Sequence, residues 1–224
     1  MQIGGFQRLT LVDFPGKVAA TVFTQGCNFR CGYCHNPELA LPQLFTDPVN
    51  PEDFFSFLSG RQGKIEGVVI TGGEPTLQKD LIDFIVRVKR MGFAVKLDTN
   101  GSRPEVLESL IELKLIDYFA LDIKTSCKKY PQITGVDCDT AKLRESIHLM
   151  ISSGIPYQLR TTLVKEFCSE KDLNEIQILI AGAEHYVLQP FVLSPKIINK
   201  RFDPQDQYTA LEVEALKAKY EKHH

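Results

Sequence analysis

Three cysteines, Cys27, Cys31 and Cys34, lie within one stretch of eight residues. Their spacing is C-x3-C-x2-C, and thiolate sulfur is a preferred ligand of zinc and of iron–sulfur clusters. A structural zinc ion takes four protein ligands, and only His35 is close enough in sequence to be the fourth. Three thiolates suit a 4Fe-4S cluster in which one iron stays open for an exogenous ligand. The alternatives are a zinc site completed by His35 or a distant cysteine, and buried cysteines that bind nothing.

The other three cysteines, Cys127, Cys138 and Cys168, are scattered along the chain. No two of them have the close C-x2-C spacing, so we expect ordinary thiols and not the ligands of a second cluster. Three disulfides would suit a small secreted scaffold, whereas a chain of 224 residues can bury a substantial core. The cysteine usage therefore favours a metal site in a reducing compartment.

The composition is that of an ordinary globular protein. Hydrophobic residues make up 43% of the chain, charged residues 24%, and the formal net charge is -2. That charge gives no electrostatic footprint for nucleic acid. No apolar run reaches the roughly 20 residues that span a bilayer, and residues 1–5 lack the basic and apolar blocks of a signal peptide. We therefore expect a cytoplasmic protein with neither a nucleic-acid nor a membrane partner.

Strand and helix patterns alternate along the whole chain. Short apolar runs predict strands at 18–24, 67–71, 93–97, 118–123, 157–164 and 185–191. Helical spacing and caps predict helices at 51–58, 77–91, 102–114 with Ser102 as cap, 139–153, from 170 with Ser169 as cap, and 204–222. Six βα units imply right-handed crossovers and a parallel sheet. We predict a single α/β domain over residues 1–224, a partial, open parallel (β/α)6 barrel, with a doubly wound open sheet as the alternative.

Polar residues fall at the carboxyl ends of the predicted strands. The cysteine loop follows the first strand, and the later strands bring Gly72, Gly73 and Glu74, then Asp98, Thr99 and Asn100, then Asp122 and Lys124, then Arg160, and finally Gln189. In parallel α/β folds, that edge of the sheet is where sites are built. This placement favours the barrel and predicts one composite active site.

The cysteine motif C-x3-C-x-aromatic-C, followed by Gly72-Gly73-Glu74 after the second strand, resembles the radical S-adenosylmethionine superfamily. In that superfamily the methionyl amine and carboxylate chelate the open iron. An electron from the reduced cluster then breaks the sulfur–C5′ bond and yields a 5′-deoxyadenosyl radical. The resemblance implies a 4Fe-4S cluster and S-adenosylmethionine as cofactors, with Phe29 and Tyr33 shielding the cluster.

A finer resemblance is to the activases of glycyl-radical enzymes, especially those of anaerobic ribonucleotide reductase. Asp13-Phe14-Pro15-Gly16-Lys17 and residues 25–38 resemble the N-terminal signature of the ribonucleotide reductase activases. Asp98-Thr99-Asn100-Gly101 and Leu121-Asp122-Ile123-Lys124 resemble the strand-three and strand-four segments of the pyruvate formate-lyase activases. Pyruvate formate-lyase activases end their sixth strand in Pro-Tyr-His, whereas this chain has Pro190-Phe191-Val192, which favours the ribonucleotide reductase type. The resemblance implies a glycyl-radical enzyme as partner and an electron donor of the flavodoxin or ferredoxin type.

The resemblance also implies roles for single residues. Glu74 accepts the methionyl ammonium, and Gly72 and Gly73 let the backbone approach the ligand closely. Arg160 either meets the methionyl carboxylate or pairs with a structural acid. The residues that hold the ribose and the carboxylate are Asp98, Thr99, Asn100, Asp122 and Lys124, and those that support the cluster and the ligand are Tyr33, His35, Asn36 and Gln189. Three of these, Asp98, Thr99 and Asp122, also place oxygen atoms around a possible monovalent cation.

Two further functions stay open at this point. The first is a small-molecule radical enzyme of the same superfamily, such as a 7-carboxy-7-deazaguanine synthase, although the standard cysteine spacing argues against it. The second is a zinc-binding interaction domain without enzymatic activity. We expect the activase, a radical S-adenosylmethionine oxidoreductase that generates a glycyl radical on its partner.

Overall fold

The computed structural model describes residues 1–223, the last of them by its backbone alone, and the described chain forms one eight-stranded sheet with helices. The strands are β1 (Ile3–Thr10), β2 (Ala19–Thr24), β3 (Gly67–Gly72), β4 (Ala94–Thr99), β5 (Tyr118–Asp122), β6 (Tyr157–Leu163), β7 (His185–Pro190) and β8 (Lys222–His223). They follow one another across the sheet in chain order; β2 to β7 are parallel, whereas β1 and β8 are antiparallel to their neighbours. A doubly wound sheet would reverse the strand order partway. The order therefore confirms the predicted partial barrel, which stays open between β1 and β8.

Eight helices accompany these strands in the described chain. They are α1 (Pro37–Ala40), α2 (Pro51–Ser59), α3 (Leu81–Arg90), α4 (Pro104–Glu112), α5 (Tyr130–Thr134), α6 (Thr140–Ser152), α7 (Glu170–Leu179) and α8 (Ala210–Tyr220), with single 3-10 turns at Pro42–Leu44, Pro75–Leu77, Cys127–Lys129 and Pro204–Asp206. None of the described helices is long and apolar enough to cross a membrane. No role was assigned to His223 and His224, whose side chains lie outside the described part of the chain.

The helix starts show where local sequence decides structure. The hydroxyl of Ser169 accepts a hydrogen bond from the backbone N–H of Asp172, and the Asp172 carboxylate accepts one from the backbone N–H of Ser169, so α7 begins with the predicted capping box. The predicted cap at Ser102 is wrong, because α4 begins one residue later than expected, with Arg103 at its N-cap. The hydroxyl of Ser102 instead accepts a hydrogen bond from the side chain of Asn28 (2.8 Å).

Two predicted helices are shorter than expected. The pattern over 77–91 divides into a 3-10 turn that ends at Leu77 and α3, which begins only at Leu81. The pattern over 204–222 divides in the same way into a 3-10 turn and α8, and Lys222 belongs to β8. Pro75 and Pro204 each sit at the first position of a 3-10 turn, where a missing N–H costs nothing, and the chain then turns before the α-helix starts.

The sequence did not reveal β1. This strand has two glycines and three exposed residues in succession, and its pairing with β2 is interrupted at two irregularities. Its apolar and polar side chains therefore do not alternate clearly enough to predict a strand. Phe6 nevertheless packs against Phe54 of α2, with 5.2 Å between ring centroids, and this contact fixes the strand on the core.

The free edge of β7 is only partly covered by β8, which pairs with His185 and Tyr186. Further along, the backbone N–H of Leu188 donates to the carboxylate of Glu221 (2.8 Å). Pro190, the last residue of the strand, has no N–H to offer.

The two faces of the sheet differ in character. On one face, alternate strand residues such as Val95, Leu97 and Leu121 join the helices in the main hydrophobic core. Strand residues of the opposite parity form the other face, here called the inner face, and they include the charged side chains of β4 to β6. Each of these strands has charged side chains on its inner face and aliphatic side chains on its outer face. The polar groups are thereby positioned without entering the hydrophobic core.

Phe14 closes the inner face at the amino ends of the strands. It is 2% exposed and packs with Ala19 and Val69 in a small separate cluster, flanked by Ala94 and Tyr118. The loop between β1 and β2 therefore buries Phe14 under the sheet, whereas Leu11 of the same loop is exposed.

We predict that Phe14→Ala destabilises the protein by about 3–5 kcal/mol, because a buried aromatic ring leaves a cavity when it is removed. Urea denaturation of the cluster-free protein measures this difference. Leu11→Ala on the same loop is the matched control, since Leu11 is 71% exposed and should change stability little. Equal effects of the two substitutions would contradict the role assigned to Phe14.

Candidate functional site

A cavity of about 210 Å³ opens at the carboxyl ends of the parallel strands. All the predicted site residues line it except Arg160 and Gln189; those that do are Cys27, Phe29, Cys31, Tyr33, Cys34, His35, Asn36, Gly72, Gly73, Glu74, Asp98, Thr99, Asn100, Asp122 and Lys124. The structure thus gathers the ends of β2 to β5 around a single space. Gln189 is exposed at the end of β7 and lies outside the cavity lining.

The cysteine loop after β2 is held by its own backbone and by α5. The N–H of Cys34 donates to the carbonyl of Cys31 (2.9 Å), and the guanidinium of Arg30 donates to the carbonyls of Cys27 (2.5 Å) and Phe29 (2.7 Å). The N–H of Arg30 in turn donates to the carbonyl of Thr134 at the end of α5 (2.6 Å). The loop therefore folds around the side chain of Arg30, whose hydrogen bonds go to carbonyl groups and not to the thiols.

The three thiols lie on the wall of the cavity, and none of them forms a disulfide. Burial raises the pKa of Cys27 to about 11 and that of Cys31 to about 12, and it raises the pKa of Cys34 as well. Within residues 1–223 no three cysteine, histidine or acidic side chains already form a closed metal cluster. Three thiols around an open space suit a ligand larger than one ion, and the thiols must lose protons when they bind it.

The remaining cysteines have partners elsewhere. Cys127 accepts a hydrogen bond from Arg144 (3.4 Å), and the buried thiol of Cys168 donates to the carbonyl of Thr162 (3.4 Å). All six cysteines are free of disulfides. Cys127, Cys138 and Cys168 do not line the cavity.

Glu74 is buried, with 1% of its surface exposed, and is surrounded by donors. Its Oε1 accepts hydrogen bonds from the backbone and hydroxyl of Thr76 (3.1 and 2.5 Å) and from the hydroxyl of Thr99 (2.7 Å). Its Oε2 accepts one from the backbone N–H of Asn100 (2.6 Å). Burial raises the pKa of Glu74, whereas these donors oppose that change. Oε2 has the smaller number of protein donors and keeps acceptor capacity towards the cavity.

Gly72 and Gly73 bring the end of β3 against the cysteine loop. Gly72 has a φ of +114°, and a Cβ there would lie 2.4 Å from the backbone nitrogen of Thr24. A Cβ on Gly73 would lie 2.1 Å from the carbonyl oxygen of Gly26. These two glycines therefore let the backbone at the end of β3 approach the backbone of residues 24–26 closely. Both glycines also line the cavity.

A chain of paired charges, buried or partly buried, crosses the inner face. Arg160 of β6 donates from Nε to Asp122 (2.7 Å) and from Nη1 to Asp98 (3.0 Å). Lys124 forms an ion pair with Asp122 (3.1 Å), and Lys96 forms one with Asp98. The cations hold the pKa of Asp122 below its usual range although burial acts in the opposite direction. Of the two roles predicted for Arg160, the structure shows the pairing with acids.

Lys96 was missed by the sequence analysis. It is 3% exposed and belongs to β4, two residues before Asp98 and on the same face of the strand. The available signal was a lysine inside an otherwise apolar strand, at the parity of an already suspected acid.

Tyr33 has the only buried side-chain polar atom without a hydrogen-bond partner in the described part of the chain. Its ring lies 6.0 Å from the Lys124 ammonium and packs edge-on against Phe191 (6.3 Å). Buried hydroxyl groups normally have partners. An unpartnered hydroxyl in the wall of a polar cavity therefore indicates a bound ligand, and the surrounding thiols and charges fit a cluster with an ionic organic molecule beside it.

His35 and Asn36 lie at the mouth of the cavity. The imidazole of His35 contacts the carbonyl of Val192 (2.6 Å) and stacks on Phe191, with 6.0 Å between ring centroids. The end of β7 lacks a histidine of its own, and the cysteine loop places one beside it. Asn36 precedes α1 but makes no capping hydrogen bond, so its side chain is not used by the helix.

The comparisons with known proteins agree with this geometry. The model of the Radical SAM superfamily matches residues 21–171. A putative glycyl-radical enzyme activating enzyme of Methanocaldococcus jannaschii is 35% identical over 211 residues, which cover 92% of this chain and 82% of that protein. The pyruvate formate-lyase-activating enzyme of Listeria monocytogenes is 33% identical over 138 residues, 55% of this chain and 53% of that enzyme, so the match spans about half of its length.

Among solved structures, TYW1 with a lysine-pyruvate adduct bound has a TM-score of 0.67 at 17% identity, over 90% of this chain and 72% of that one. At this identity the likeness concerns the fold alone. The family match covers more than half of the chain and includes the cysteine loop, Glu74 and the acids of the inner face. The chain therefore belongs to the radical S-adenosylmethionine superfamily, whose enzymes use a 4Fe-4S cluster and S-adenosylmethionine.

Proposed function

We propose that this protein is a glycyl-radical enzyme activase, whose partner is an anaerobic ribonucleotide reductase. The observation that carries the proposal is the single cavity in which three thiols, a buried carboxylate and an unpartnered tyrosine hydroxyl meet. The 35% identity with a putative activating enzyme over nearly the whole chain supports the activase over other members of the superfamily.

In this proposal Cys27, Cys31 and Cys34 hold the cluster. When bound, the cluster supplies the electron that breaks the sulfur–C5′ bond of S-adenosylmethionine. The protein's own contribution is to bind and orient the cofactor and to exclude water. Phe29 and Tyr33 are both buried beside the thiols and keep solvent away from them.

Charge determines how the methionyl group would bind. The free acceptor capacity of Glu74 Oε2 suits the methionyl ammonium, because a charge-assisted hydrogen bond there needs no rearrangement. The ammonium of Lys124 uses one of its donors on Asp122 and has others to give to the carboxylate. The methionyl ammonium would thus bind at Glu74 and the methionyl carboxylate at Lys124, on the wall of the same cavity.

The favoured partner rests on the end of β7. Pro190-Phe191-Val192 departs from the Pro-Tyr-His ending of pyruvate formate-lyase activases, and Val192 is 60% exposed beside His35. A protein partner must present its glycine at this mouth. An electron donor of the flavodoxin or ferredoxin type belongs to the same proposal.

The first test concerns the cluster ligands. Protein reconstituted without oxygen should bind about four irons per chain and give the EPR signal of a reduced 4Fe-4S cluster. Replacing Cys27, Cys31 or Cys34 by alanine should abolish both, since each thiol removed leaves an iron without its protein ligand. Cys127→Ala and Cys138→Ala are the controls and should keep them. A stable 4Fe-4S cluster in Cys31→Ala protein would refute the assignment.

The second test concerns Glu74. We expect Glu74→Gln to keep the cluster but to weaken S-adenosylmethionine binding roughly ten- to a hundredfold, because the ammonium loses a charged acceptor. Calorimetry on cluster-loaded protein measures the affinity, and iron content shows that the site is intact. Glu108→Gln, an exposed carboxylate on α4, is the control. Unchanged affinity in the Glu74 variant would remove this residue from the binding site.

The third test concerns the partner. Reduced protein, S-adenosylmethionine and the anaerobic ribonucleotide reductase of the same organism should yield 5′-deoxyadenosine, methionine and a glycyl-radical EPR doublet on the reductase. Deuterium at the target α-carbon should pass into the 5′-deoxyadenosine. Turnover should be slow, because the glycine loop must first leave its own barrel.

Two results of that experiment would count against the partner. Deoxyadenosine without a radical on the reductase would indicate uncoupled cleavage and a different glycyl-radical partner. A small molecule that takes up or loses the label, while a panel of such enzymes stays silent, would replace the activase by a small-molecule radical enzyme.

A further inference from the structure

Every carboxylate oxygen of Asp98 and Asp122 already has a cationic partner. Arg160 occupies one oxygen of each, Oδ2 of Asp98 (3.0 Å) and Oδ1 of Asp122 (2.7 Å). Lys96 occupies the other oxygen of Asp98, and Lys124 occupies the other oxygen of Asp122 (3.1 Å). The guanidinium of Arg160 therefore bridges two acids on neighbouring strands, which is the position that a bound cation would need.

The hydroxyl of Thr99, the third oxygen proposed for a cation, is also in use. It donates to Glu74 (2.7 Å) and accepts from the backbone N–H of Gly101 (3.1 Å). A cation between Asp98, Thr99 and Asp122 would have to displace both Arg160 and this pair of hydrogen bonds. The residues predicted for a monovalent cation thus do not fit one while Arg160 is in place.

The net charge of these ion pairs also disfavours a bound cation. Three cations, Lys96, Lys124 and Arg160, face two acids, so the group carries one positive charge in excess. The side chains of Lys96, Lys124 and Arg160 are only 4–14% exposed, and water screens such charges poorly. A further cation would raise the excess to two, whereas one carboxylate would cancel it.

We propose that Arg160 is a built-in counter-ion that takes the place of an alkali-metal cation, so that the cavity binds the carboxylate of an amino-acid ligand without a metal ion. The inference rests on the proposed binding of S-adenosylmethionine in this cavity. Lys124, which lines the cavity, presents the excess charge to the ligand. Arg160 acts through the two acids and is a positioning residue.

The first experiment compares salts on the wild-type protein. Calorimetry measures S-adenosylmethionine affinity of cluster-loaded protein in potassium, sodium and tetramethylammonium chloride at one ionic strength. The dissociation constants should agree within about twofold, because no cation enters the site. An affinity that falls about tenfold in tetramethylammonium chloride would overturn the proposal.

The second experiment removes the guanidinium. In Arg160→Met protein the two acids lose their shared partner, and potassium should then tighten ligand binding by about fivefold or more over tetramethylammonium. Arg160→Lys retains the charge and should respond to salt as the wild type does. Arg87→Met removes a guanidinium that pairs with the exposed Glu52 and is the control for loss of an arginine. A salt response absent from Arg160→Met would show that Arg160 does not replace a cation.

A third measurement needs no cofactor. The thermal unfolding midpoint of the cluster-free protein should be the same in potassium and tetramethylammonium chloride for the wild type and should rise with potassium for Arg160→Met. A midpoint that rises with potassium in the wild type would overturn the inference. Loss of ligand binding in every salt would count against the proposed binding site, and the unfolding data would still decide the role of Arg160.

Discussion

The carboxylate of Glu74 holds the rim of the barrel together. It accepts hydrogen bonds from Thr76 in its own turn and from Thr99 and Asn100 at the end of β4, while the backbone N–H of Glu74 donates to the carbonyl of Gly26 in the cysteine loop (2.7 Å). One buried residue thus fixes the relative positions of three strand ends. The thiols, the acids and Tyr33 can meet in one cavity only because those ends are held. Glu74, which is proposed to bind the ligand, thus also connects the strand ends that form the site.

The charges of the inner face follow from a different constraint. Charges removed from water are costly, and their mutual attraction seldom more than offsets the loss of hydration. The ion pairs that link Lys96 to Lys124 through Asp98, Arg160 and Asp122 therefore serve mainly to hold these side chains in place and add little to the stability of the fold. Because each acid pairs with Arg160 and also with a lysine, an acid that turned away would leave that lysine without its partner and would break one of the two ion pairs of Arg160.

The sequence predicted the parts that depend on local pattern. Apolar runs located all six parallel strands, and the placement of polar residues at their carboxyl ends predicted the cavity and most of its lining. It could not predict β1, whose glycines and exposed residues give no clear period. Nor could it choose the partner of Arg160, because that choice depends on the registers of three strands, which set Asp122 opposite Arg160. Ser102 failed as a cap for a related reason: its hydroxyl is used by a residue 74 positions earlier in the chain.

An incomplete barrel has a cost that a closed one avoids, since its last strand exposes backbone donors on which another chain can assemble. In this protein the outer edge of β7 offers little for such growth. Glu221 takes the N–H of Leu188, and Pro190 has none. The part of β7 that extends beyond β8 therefore presents few free backbone donors to which the strand of another chain could pair.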